Sequence, residues 1–224
     1  MPHLLSKDLS FCEVDGTIIL LDIAQDRYFR LNQRLEAALR AYLKQADLAP
    51  ELLFFLSSQR IPIKADHRFR CDQEAGHQPP ARSALELPTT VTSSRHAGLP
   101  ETFWLVYTTR LWLKASSLKT VLWGVATQRR KNRLSSEDPI RLESQAIDAA
   151  IRFANTRRYV PIERNCLLDS LALLRYLSRR GLPASIVFGV THQPFGAHCW
   201  IQAGDLALNE TLTVANAHTP IRVI

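Results

Sequence analysis

The chain has 224 residues, 46% of them hydrophobic, which suffices for one large domain or two small ones with real cores. Its net charge is +7, and much of the basic excess lies in "TQRRKNR" at 127–133, "RFANTRR" at 152–158 and "RYLSRRG" at 175–181. These clusters fall at predicted helix ends and in a loop, where Lys and Arg are expected; no helix-turn-helix, aromatic RNA-binding motif or metal finger accompanies them. Nucleic-acid binding is therefore not expected, and the basic surface fits an acidic peptide or protein equally well.

In chain order, "FCEVDGTIILLDIAQDRYFRLN" opens with a turn at Asp15-Gly16, followed by the apolar run Thr17–Ile23. A second turn at 24–26 leads into "RYFRLN", so the pattern predicts an antiparallel meander. Asn32 is a good N-cap for the next segment, in which Leu35, Ala38, Leu39, Tyr42 and Leu43 recur at helical spacing. A short second helix is expected from Pro50.

Residues 66–100 are dense in Pro, Ser, Thr and Gly and lack periodicity, which predicts a linker or a long loop. The domain boundary is placed near residue 82: a unit of residues 1–82, then a unit of residues 83–224 whose first part, 83–100, is linker. His67, Cys71 and His77 lie in this stretch at a spacing that fits no familiar metal site, and no metal is expected. Helices follow over 101–115 and 117–130, the first with an aromatic stripe of Phe103, Trp104, Tyr107, Leu111 and Trp112 read as packing surface. A third, after Asp138-Pro139, places Ile140, Ala146, Ile147, Ala150, Ile151 and Ala154 largely on one face.

The four cysteines, Cys12, Cys71, Cys166 and Cys199, are far apart and include no CxxC pair, which argues against a zinc ribbon or a disulfide scaffold. The first residues lack a basic n-region and a long apolar stretch, and no run approaches the roughly 18 apolar residues of a membrane span. The expectation is a cytoplasmic chain with free thiols.

Cys166 starts the run "NCLLDSLALL", with Asn165 as N-cap and Gly181 as stop. Leucines cover most of this helix, so it is buried. "ASIVFGV", "AHCWIQA" and "GDLALN" then read as antiparallel strands. Alternation puts His198, Trp200 and Gln202 on one strand face and Cys199 and Ile201 on the other. If His198 faces the helix its ring meets the Cys166 thiol, and Cys199 points away as a structural residue. An imidazole beside a thiol at a helix N-terminus is an activated nucleophile, and a third group should orient the imidazole. Asp205, Asn209 and Glu210 can serve, Asp205 being the furthest along the turn.

The order of Cys166-Leu167, Ser170-Leu171-Ala172-Leu173, Arg180-Gly181, Gly189-Val190, Gln193-Pro194-Phe195, Ala197-His198, Trp200 and Asn209 before an acid closely resembles the B protein of lasso-peptide biosynthesis. That family consists of leader peptidases with a transglutaminase-like or papain-like cysteine protease core. The resemblance implies Cys166 as nucleophile, His198 as base and Glu210 as orienting acid in place of the family's usual Asp. It also implies a partner, an asparagine-synthetase-like cyclase that closes the macrolactam on the freed core. No cofactor is implied for this chain. Separately, "TIILLDIAQDRYFRLNQRLEAAL" resembles the PqqD-like module that recognises precursor leaders, with the edge strand and following helix (Tyr28, Phe29, Leu31, Leu35 and Leu39) as groove.

The fold expected is thus α+β. A small N-terminal β-meander with helices, a PqqD-like winged module, precedes a cysteine protease domain of helices packed on an antiparallel sheet. The function expected is leader removal from a precursor peptide. Two other readings fit the same residues: acyl transfer of the transglutaminase type, and a non-catalytic scaffold that delivers precursor to the cyclase.

Overall fold

The computed structural model describes residues 3–4, 7–44, 49–59, 61, 72–73, 78–87, 98–131 and 139–224. The sites named at His67, Cys71 and His77 lie outside them, as do residues 88–97 of the expected linker.

The N-terminal part is a meander of β1 (His3–Leu4), β2 (Leu9–Val14), β3 (Thr17–Asp22) and β4 (Arg27–Arg30). Two helices follow, α1 (Gln33–Leu43) and α2 (Pro50–Ser58), and then β5 (Asp72–Gln73). Among the described residues its sheet runs β4-β3-β2-β1-β5. Both tight turns sit where the sequence predicts them: Asp15 and Gly16 take φ of 49° and 75°, and Asp26 takes 50°. Asn32 caps α1, its side chain accepting the Leu35 amide at 2.9 Å.

The second part starts earlier than the expected linker allows. Arg82–Ser83 form β6, which pairs in parallel with β9 (Leu206–Ala207), and Ala84 is fully buried. Helices α3 (Leu99–Ala115), α4 (Leu118–Lys131), α5 (Pro139–Arg157) and α6 (Cys166–Ser178) come next. Strands β7 (Ser185–Thr191) and β8 (Gly196–Ala203) form an antiparallel hairpin, and β9 extends it. Two further elements, α7 (Leu212–Ala217) and β10 (Thr219–Val223), were not foreseen from the sequence; β10 returns to pair with β7. The sheet order is β10-β7-β8-β9-β6.

The N-terminal sheet buries both faces, and that is how the two parts are joined. Leu9, Phe11, Ile18 and Leu20 form a small core with Leu39 and Leu56 from α1 and α2. The alternate residues Cys12, Ile19, Leu21 and Ile23 belong to the large core built on α3 to α6 and the second sheet. Polar ties cross the same boundary: Lys119 Nζ to Asp8 Oδ2 at 2.7 Å, Arg222 Nη2 donating to the Lys7 carbonyl at 2.7 Å, and Arg30 Nη1 to His192 Nε2 at 3.1 Å. Among the described residues, no helix is long and apolar enough to cross a membrane.

Candidate active site

Asn165 has extended backbone and its Oδ1 accepts the amides of Leu167 and Leu168 at 3.0 and 3.2 Å. The cap leaves Cys166 as the first residue of α6, at the positive end of the helix dipole. The approach to that position is pinned by Arg157, which is 1% exposed. Its guanidinium donates to Asp169 Oδ1 at 2.7 Å and to the carbonyls of Val160, Ile162 and Glu163 at 3.3, 3.0 and 3.1 Å. One buried cation therefore gathers the loop before Cys166 and the first turn after it. Burial pushes the Asp169 carboxyl up, with the Arg157 hydrogen bond opposing the shift.

His198 Nε2 lies 2.7 Å from Glu210 Oε2. The ring stacks at 6.4 Å on Trp200, which is fully buried. Glu210 is placed by its backbone, whose carbonyl accepts from Ser83 Oγ at 2.7 Å, and by the Thr211 amide, which donates to Oε1 at 2.9 Å. Strand β6 thus helps to hold the acid. Asp205 and Asn209 go elsewhere. Asp205 Oδ1 is tied at 2.7 Å to Arg82, which also grips Glu143. Asn209 Oδ1 accepts the Ile201 amide at 2.7 Å, and its Nδ2 donates to Ser170 Oγ at 3.0 Å. It braces β8 against α6 and does not meet the imidazole.

The expected orientation of Cys199 is wrong. Cys199 and Ile201 share the face of β8 that packs on α6, whereas Trp200 joins Val187, Ala207 and Ala215 on the other face. Alternation alone does not say which strand face α6 covers. Cys199 thus faces the helix that Cys166 opens. Ser170 Oγ holds the Cys199 carbonyl at 3.1 Å.

These contacts set the charges. Hydrogen bonds from Cys199 first and His198 second, opposed by burial, bring the Cys166 thiol down to about 4. The hydrogen bonds to Cys166 and Glu210 raise His198 to about 9. Burial alone would raise the Glu210 carboxyl, but the donors His198 and Thr211 outweigh it and hold the group below its ordinary range. Near neutral pH the resting state is a thiolate, an imidazolium and a carboxylate in series. Such a thiolate can attack a carbonyl carbon, and the imidazolium can protonate the departing group.

Residues 103–223 match the family described as the transglutaminase-like superfamily. The chain belongs to that superfamily. Its transglutaminase-like core therefore includes α3 to α6, the hairpin β7–β8 and the closing elements α7 and β10. A segment of 92 residues is 29% identical to the Microcin J25-processing protein McjB of Escherichia coli. It covers 41% of this chain and 43% of that protein, so less than half of the relative's length is matched. No solved structure matches the chain.

The residues expected to line a leader groove divide. Leu39 is fully buried and Leu31 nearly so, and both serve the small N-terminal core, with Phe29 and Leu35 packed against it. Tyr28 faces the other way, onto the core of the transglutaminase-like part, with its ring 6.0 Å from that of Phe195 in the turn between β7 and β8. Burial pushes its phenol up.

Sequence reasoning missed Arg157, Ser83 and His218. The His218 ring is 5.3 Å from that of His198, and its Nδ1–H donates to the Val214 carbonyl at 2.8 Å. Gly189 makes room for it, since a Cβ there would stand 2.8 Å from both His218 Cβ and the Trp200 ring. None of the three carries a local signal: each acts through a partner distant in sequence or through a strand pairing.

Proposed function

We propose that this protein is a cysteine peptidase that removes the leader from a precursor peptide of the lasso type. Cys166 attacks the scissile carbonyl, His198 protonates the leaving amine and then activates water, and Glu210 orients His198. The backbone N–H of Cys166 donates to the oxyanion. The observation that carries this reading is the series Cys166, His198, Glu210, in which the thiol is brought down to about 4 at a capped helix start. The partial likeness to a protein named for processing microcin J25 supports a peptide substrate.

The leader binds along β4, as in a PqqD-like recognition module. Among the described residues β4 is paired on one side only, with β3, in the register Leu20 to Phe29 and Leu21 to Tyr28. A leader strand added to that open edge gains backbone hydrogen bonds. Tyr28 and Phe195 connect this edge to the core that holds the thiol. The released core passes to an asparagine-synthetase-like cyclase, the partner that supplies the ring-closing step.

The test uses the full chain and the peptide encoded by a short reading frame beside its gene. Hydrolysis yields two fragments whose masses sum to the substrate plus one water. Acyl transfer to an amine would give a different mass, and a scaffold would leave the peptide intact; either result overturns the reading. In the hydrolytic case Cys166→Ala leaves the peptide uncut.

A further inference from the structure

The His198 imidazole has a neighbour that the proposed mechanism does not use. Two flat rings lie beside it: Trp200 at 6.4 Å and 22°, and His218 at 5.3 Å and 37°. Trp200 is a fixed platform, fully buried, with its Nε1–H donating to Gln202 Oε1 at 3.0 Å. His218 comes from another element. It is the C-cap of α7, and its Nδ1–H folds back on the Val214 carbonyl at 2.8 Å. A carbonyl only accepts, so Nδ1 carries the hydrogen, and the bond holds the His218 ring in one rotation.

The sheet leaves room for this ring. Gly189 on β7 stands opposite His198 on β8 and opposite Pro220 on β10. Its φ is not positive, so what it supplies is space. A Cβ there would stand 2.8 Å from both His218 Cβ and Trp200 Cζ3. Without that atom the two rings close over β7 and reach His198.

Helix α7 joins these contacts. It is pinned by Ala215, which shares a buried cluster with Trp200 and Val187. Glu210 immediately precedes its N-cap Thr211 and meets His198 Nε2 at 2.7 Å, and His218 closes the other end. One six-residue helix therefore holds a carboxylate on one nitrogen of His198 and a second ring beside it. Nε2 lies close to the Cβ–Cγ axis about which an imidazole turns, so the bond to Glu210 alone leaves the ring plane weakly held.

We propose that His218 is a positioning residue: it fixes the plane of the His198 ring while Glu210 fixes one nitrogen. The direction of the other nitrogen follows from that plane, and a misplacement of about 1 Å can cost roughly 10²-fold in rate. The effect on catalysis rests on the leader-peptidase reading; the hold on His198 does not.

Two variants of the full chain separate the ring from its anchor. His218→Phe keeps a flat ring and loses the bond to Val214, whereas His218→Asn keeps a donor for Val214 and loses the ring. On the peptide encoded beside the gene, His218→Asn should lower kcat by about 10-fold or more with KM within about twofold of the wild type. His218→Phe should restore most of that rate. Gly189→Ala, whose Cβ would wedge the two rings apart, should lower kcat in the same way. NMR of the ring nitrogens needs no peptide: the His198 signals should broaden in His218→Asn and stay sharp in His218→Phe. Sharp His198 signals in His218→Asn would overturn the proposal whatever the substrate proves to be. So would full kcat in folded His218→Asn, a His218→Phe as slow as His218→Asn, or a loss of rate that only tracks a lower urea midpoint. Wild-type protein that leaves the peptide uncut overturns the peptidase reading instead, and the NMR comparison then decides the role of His218.

Discussion

Cys12 and Cys166 are the same chemical group placed in two regions of one molecule, and they end about eight pH units apart. Cys12 sits in the middle of β2, fully buried among aliphatic side chains, and burial pushes its thiol up to about 12. Cys166 stands at the start of α6 with hydrogen bonds from Cys199 and His198 and comes down to about 4. Burial raises both; the donors present at only one site reverse the sign. The regions around them differ in the same sense. The N-terminal sheet covers both faces with apolar cores, and among the described residues its β4 edge is paired on one side only. The second sheet keeps His198 and Glu210 at its surface and backs them with buried Trp200.

The sharpest way to break this comparison is to delete each sulfur in turn. Cys166→Ala should lower leader cleavage by roughly 10⁴-fold or more, as removal of a nucleophile does. Cys12→Ala should keep cleaving, its cost falling on stability. Rates on the same peptide, at matched folding by circular dichroism, decide this; an equally inactive, folded Cys12→Ala would erase the distinction.

Next in size is the support beneath the active thiol. Arg157→Met leaves Asp169 and three carbonyls around Cys166 without their buried cation. Breaking such a pair from one side costs about 3–5 kcal/mol. The urea midpoint should fall accordingly, and a change near zero would mean that this loop is held by other means.

Glu210→Gln tests what keeps the imidazolium in place. The catalytic rate should fall by about 10²-fold or more. Glu210 helps to raise His198, so the alkaline limb of the pH–rate profile should move down from about 9. Glu210→Asp should retain part of the rate. Asp205→Ala should cleave much like the wild type, because that carboxylate is committed to Arg82. Asp205→Ala as the most damaging of the three would move the orienting role to that residue.

The smallest expected effect is a displacement of the acid limb. The wild-type profile should fall below about 4 as the thiolate is protonated and above about 9 as the imidazolium is lost. Cys199 is the first cause of the low value at Cys166, so Cys199→Ala should move the acid limb to higher pH. The rate of iodoacetamide alkylation against pH reads this directly. An unmoved limb would leave His198 as the thiolate's sole support.

What the sequence determined by itself was local. The Asp15-Gly16 turn, the Asn32 and Asn165 caps, the Gly181 stop at φ 72° and the alternation along β7 and β8 each depend on residues within a few positions of one another. The Cys, helix, strand, His, strand, acid order was legible for the same reason, and the nearness of Glu210 to His198 follows from one short hairpin. Tertiary structure decided the rest. Alternation divides a strand into two faces without saying which face a helix will cover, so Cys199 was assigned away from the helix it packs against. The pairing of Arg82–Ser83 with β9 spans more than a hundred residues, and the burial of Arg157 depends on carbonyls that point inward only once the loop is closed. The second buried face of the N-terminal sheet was likewise invisible, because "TIILLD" reads as apolar on both sides whether it packs against one core or two. Such contacts arise from the global packing of apolar surface, whose energy depends on area removed from water and not on separation along the chain.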